Sequence, residues 1–189
     1  MTHTFFAYSM LSGLLVLAVL VSICDFRMRR IPNHLLIVAM AYAASLFLAL
    51  GYLEGFQLIS KGLVMSLLGM VLGWFFLFVP YRLRQVGAGD VKLLMVFGFF
   101  LGPLGVILAL LNGAIIGGIW ALVLSWRHGG LKKLWNNMVF MWRSAWLSGF
   151  KEMSWDLRSA GAVTMPYGVA LSAGAALVAI WQIWIRTAQ

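Results

Sequence analysis

The chain has 189 residues, 63% of them hydrophobic and 10% charged, a balance that leaves too little polar surface to cover a soluble domain and so excludes one. Its net charge of +9 would suggest nucleic acid in a soluble protein, but here the basic residues fall between apolar runs, in alternate loops, and report membrane topology with no nucleic-acid partner. A single Cys24 and the scattered His3, His34 and His128 exclude an internal disulfide and a cysteine-rich zinc module.

The fold class expected is an all-α integral membrane protein, a single polytopic domain over 1–189, with roughly six spans of about 20 residues each. Residues 1–9 carry no Lys or Arg, so the first run, about 5–24, reads as a retained helix and not as a cleaved signal peptide. It ends at Asp25-Phe26-Arg27-Met28-Arg29-Arg30, a basic cluster expected to stay in the cytoplasm, which places the N-terminus outside. Pro32 suits the opening turn of a second helix over about 33–52. Residues 53–60 read as an external turn, and a third helix over 61–79 is expected to stop at Pro80. Arg82 and Arg84 then return the chain to the cytoplasmic side, directly before Gly87-Ala88-Gly89-Asp90.

A fourth run, 91–101, is separated by Gly102-Pro103 from a fifth, about 104–126. Some 11 to 15 helical residues rise only about 16 to 22 Å, against roughly 30 Å of hydrocarbon. Either the bilayer thins there or the helix starts below the surface in a protein-lined cavity, recessing Asp90. The stretch 127–158 holds six basic residues and an apolar face of Leu131, Leu134, Trp135, Met138, Trp142 and Trp146, which predicts a cytoplasmic, interfacial amphipathic helix within about 127–160 touching membrane lipid. A last span over 163–185 leaves Arg186 outside. Gly69-x-x-x-Gly73 and Gly113-x-x-x-Gly117 predict close helix contacts.

Carboxylates at membrane depth are costly, which marks Asp25 and Asp90 for function. Two carboxyls at short range in a partly dry site cannot both ionise, so one can draw a proton from water while the other donates to a scissile carbonyl or leaving amine. Gly87 and Gly89, lacking a Cβ, let a substrate backbone come close. Simpler readings exist: Asp25 pairing with Arg27 or Arg29, and Asp90 pairing with Lys92 or Arg84 or capping a helix that begins at Val91. Glu152 and Asp156 read as solvated partners of Lys151 and Arg158.

Three motifs in this order, Asp25-Phe26-Arg27-Met28-Arg29-Arg30-Ile31-Pro32-Asn33, Gly87-Ala88-Gly89-Asp90-Val91-Lys92-Leu93 and Met165-Pro166-Tyr167-Gly168-Val169-Ala170, resemble the prepilin peptidases, membrane aspartyl proteases of the GxGD type, and especially the short peptidases of tight-adherence pilus systems. The resemblance implies that Asp25 and Asp90 form the catalytic pair. It also implies that Gly87, Gly89, Lys92 and Arg30 line the site and that Pro166-Tyr167-Gly168 presents backbone to an extended substrate. The implied reaction removes the short basic leader of a prepilin or pseudopilin after a glycine, at the cytoplasmic face of a bacterial inner membrane, for pilus or secretion machinery. No metal or other cofactor is expected. Larger relatives carry a cysteine-rich zinc insertion and methylate the new N-terminus; this chain lacks those cysteines, so methylation is not expected. The alternative from another class is a small proton- or cation-coupled transporter using Asp25 and Asp90 as relays. A third is a structural secretion subunit in which they are salt-bridge partners.

Overall fold

A computed structural model describes residues 2–83, 85–127 and 167–188. The interfacial helix expected within 127–160 lies outside the described residues, as do Arg84 and Pro166. The described residues are almost wholly helical: α1 (Thr2–Met28), α2 (Asn33–Glu54), α3 (Phe56–Arg82), α4 (Ala88–Arg127) and α5 (Tyr167–Thr187). All five are long and apolar enough to cross a membrane, as an all-α membrane protein requires.

The count differs from the six runs of the sequence because α4 contains two of them. Gly102 breaks it, with φ 74° and ψ −176°, a left-handed extended conformation open to glycine, and Pro103 opens the second arm. Glycine contacts give the arms their directions. Gly98 and Gly102 lie against Gly69, and Leu94 lies against Gly73, so the first arm runs antiparallel to α3. Gly113 meets Leu171, Ala109 meets Gly174, and Gly105 lies beside Gln182, so the second arm runs antiparallel to α5. The end of α3 and the start of α5 both lie at the aspartate end of the bundle, so the two arms run opposite ways and Gly102 is the apex of a helical hairpin.

The first arm is the centre of the fold. Leu93, Leu94 and Phe97 are wholly buried and Val91, Val96, Phe99, Phe100 and Leu101 nearly so, the signature of a helix apolar on every face and enclosed by others. Its 88–101 segment rises only about 21 Å at 1.5 Å per residue, shorter than the hydrocarbon it stands in. Without a strong hydrophobic drive between helices in lipid, close backbone approach supplies the packing. A Cβ built on Gly69 would collide with the Gly98 carbonyl, and one on Gly98 with the Gly69 carbonyl. Gly69, Gly73 and Gly113 thus make the contacts their spacing predicts, and Gly117 is buried on its helix. At the far end, Phe47 of α2 stacks edge-on against Phe6 of α1 (4.9 Å) and Phe99 of α4 (5.8 Å).

Several boundaries differ from expectation. The external turn over 53–60 is reduced to Gly55, at φ 91°, with α3 starting at Phe56. Pro80 does not stop α3, which continues to Arg82; the last-turn carbonyls find partners, Leu83 N–H donating to Val79 (3.0 Å) and Gln85 N–H to Pro80 (2.9 Å). And α4 begins at Ala88, three residues before Val91, because a helix's first N–H groups need no intrahelical partner and a glycine-rich segment can therefore form its first turn.

Candidate active site

Asp25 lies in the last turn of α1, and the chain beyond it turns sharply. Arg29 adopts φ 50°, and its N–H donates to the Asp25 carbonyl at 2.9 Å, the left-handed closure that ends many helices. This single residue ends the helix and sends Arg30 and Ile31 across the bundle end toward Pro32, where α2 starts. Asp90 sits in the first turn of α4. Its Oδ2 accepts from the Gly87 N–H (3.3 Å), and its own N–H donates to the Gly87 carbonyl (3.1 Å). An acidic side chain reaching back to the N–H just before its helix is half of a capping box. Asp90 does cap a helix, from inside the first turn and not from before it.

Asp25 and Asp90 border one cavity of about 350 Å³ at this end of the bundle, together with Arg29, Arg30, Ile31, Asn33, Gly87, Ala88, Gly89 and Lys92. Asp25 is 6% exposed, which leaves its carboxyl almost no water except at the cavity, while Asp90 is half-buried. The two carboxyls lie within electrostatic reach of each other, and Tyr167 within reach of Asp90. Lys92 turns to the neighbouring helix, donating from Nζ to Asn33 Oδ1 at 3.2 Å, and so ties the start of α4 to the start of α2.

Helix α5 closes the site from behind. Its Gly168 faces Asp25 so closely that an added Cβ would lie 2.8 Å from Oδ2 and 3.0 Å from Cδ1 of Ile31. The amides of Gly168 and Val169, in the first turn of α5, are directed at the Asp25 carboxyl without reaching full hydrogen-bond geometry. Free N–H groups of a helix start favour negative charge beside them. Gly89 packs on the same Ile31, where a Cβ would lie 3.4 Å from its Cβ. Ile31 thus fills the space between the two glycines, one from each motif.

Of the residues singled out from sequence, Asp25, Asp90, Gly87, Gly89, Lys92 and Arg30 border the cavity, and Tyr167 and Gly168 adjoin it. Arg29, Ile31 and Asn33 were missed as individual site residues. The signal was present, since all three stand inside the first motif, but nothing in their spacing showed that Asn33 would meet Lys92 or that Ile31 would meet two glycines. The set provides two carboxyls, a cluster of cations and close backbone approach, the requirements for activating water beside a peptide bond.

Comparison with curated proteins and with solved structures gave no match. A model of the type IV leader peptidase family matches residues 12–122, more than half of the chain and the part that carries Asp25, Gly87, Gly89 and Asp90. On that match the chain belongs to the type IV leader peptidase family.

Proposed function

We propose that this protein is an aspartyl endopeptidase that cuts the short basic leader from prepilin-like substrates after a glycine, using Asp25 and Asp90 to activate water. The observation that carries the reading is that these two carboxyls, from distant parts of the sequence, border one cavity at one end of an apolar bundle. One carboxylate takes the proton of the attacking water and the other, protonated, polarises the scissile carbonyl and then donates to the leaving amine. Gly87 and Gly89 keep the wall beside Asp90 free of side chains, and Tyr167, after Pro166, offers backbone to an extended segment while Gly168 makes room for the Asp25 carboxyl. Lys92 and Arg30 contact the substrate from the cavity rim. Arg27, Arg29 and Arg30 at the same end support a site facing the cytoplasm of a bacterial inner membrane, because short cytoplasmic loops concentrate positive charge. The family match supports a prepilin-type substrate, and the three motifs resemble those of the tight-adherence type.

Co-expression with a prepilin tests the assignment. Asp25→Asn and Asp90→Asn should each lower leader removal by about 10²- to 10⁴-fold, the range for loss of a positioned acid or base, while the protein remains folded in the membrane. Normal processing by either folded variant overturns it.

A further inference from the structure

Two buried polar atoms among the described residues make no hydrogen bond in proper geometry, Oδ2 of Asp25 and Oγ of Ser172. Asp25 of α1 lies against α5 at Gly168, and helical spacing puts Ser172 one turn from Gly168 on the same side of α5. On α1, Leu14, Ala18, Val21 and Asp25 recur at helical spacing and are all buried; on α5, Gly168, Ser172, Ala175 and Ala179 do the same. The helices pack antiparallel, and the Asp25 carboxyl lies against Gly168. Ser172 stands one turn further into the membrane on the same face, with Cβ positions four residues apart about 6 Å from one another. Ser172 is 1% exposed. Serine buried in a helix commonly turns its hydroxyl back to the carbonyl four residues earlier, which here would be that of Gly168, and it does not do so.

Leaving a buried polar atom unsatisfied is costly, and two such atoms facing one seam about a turn apart are the arrangement that one ordered water satisfies. We propose that Ser172 is a positioning residue for Asp25, its hydroxyl holding the inward carboxyl oxygen through a single buried water. The water receives or donates at both oxygens and fixes the plane of the carboxyl, so that the rest of the group stays turned toward the cavity. Gly168 leaves the room that the carboxyl occupies, and Ser172 supplies the polar anchor behind it. Ser172 is not among the residues bordering the cavity of Asp25 and Asp90, and it takes no part in the chemistry itself. The role in catalysis rests on the two-aspartate reading above; the pairing with Asp25 does not.

The test is Ser172→Ala, with cleavage kinetics on a prepilin and thermal unfolding in detergent, alone and combined with Asp25→Asn. A hydroxyl with no partner would make its removal raise the melting temperature and leave kcat unchanged. The bridge predicts the reverse: kcat lower by about tenfold, the worth of one hydrogen bond, with KM within about twofold and no gain in melting temperature. It also predicts that the two substitutions are non-additive in thermal stability. An unchanged kcat, a raised melting temperature or strict additivity each overturns the proposal. Ser172→Cys, close in volume and a weaker donor, repeats the test if the Ala variant does not fold. Should the wild-type protein fail to cut any prepilin, the functional reading falls while the thermal cycle still decides the pairing.

Discussion

Two seams of this molecule use glycine in the same way and for different ends. Between α3 and the first arm of α4, Gly69 and Gly98 bring backbone against backbone, and the space a Cβ would need is filled by peptide groups that cannot move away. Between α1 and α5, Gly168 leaves the equivalent space to a carboxyl and an isoleucine tip, both at the ends of side chains that can turn. The first glycine pair holds the bundle together. The third makes room for the carboxyl that the proposed reaction uses. A small residue in a membrane helix therefore cannot be assigned to packing or to chemistry from its spacing alone; what stands opposite decides.

The comparison is broken most severely by a methyl group at Gly168. Gly168→Ala should turn the Asp25 carboxyl aside and lower kcat by about 10²-fold, the cost of a misplacement near 1 Å, with little loss of stability. A melting temperature that falls as far as that of a core variant, with specific activity kept, would put Gly168 in the packing class. The counterpart, Gly98→Ala, should do the opposite: overpacking costs about 1–3 kcal/mol, read as a lower unfolding temperature, while the surviving folded fraction cuts with near-normal kcat. Smaller still is Asn33→Ala, which frees Lys92 from α2; we expect KM to rise about threefold with kcat retained, the worth of one exposed hydrogen bond. An unchanged KM would show that the link only braces the two helices.

Much of this was legible because the bilayer restricts what a sequence can do. Each apolar run became a helix, Gly102-Pro103 became a break, and the basic cluster after Asp25 placed that residue at the same end as Asp90. The errors share a cause. Residues 53–60 read as an external turn because they hold Glu54 and no basic residue, yet a helix emerging from a membrane carries polar residues in its terminal turns at no cost. Pro80 read as a stop, but near a helix end it forfeits only one hydrogen bond, and the carbonyls of the last turn still find donors in Leu83 and Gln85. Gly87-Ala88-Gly89 read as a loop before the helix, although its last two residues belong to it. The links of Asn33 to Lys92 and of Ile31 to Gly89 and Gly168 arise only when three chain segments close on one another, and no local pattern encodes them.

The aromatic stack of Phe6, Phe47 and Phe99 bears on a burden every wet intramembrane site imposes on its host. The proposed hydrolysis needs water at Asp25 and Asp90, and water chains conduct protons. Here the wet end and the Phe end are opposite, and the helix between them is filled on every side by Leu93, Leu94 and Phe97. Among the described residues, the cavity that holds both aspartates lies at one end of the bundle and the aromatic stack at the other. A peptidase of the proposed kind, built this way, would hold its water at one end of the bundle without lining a path for protons through it.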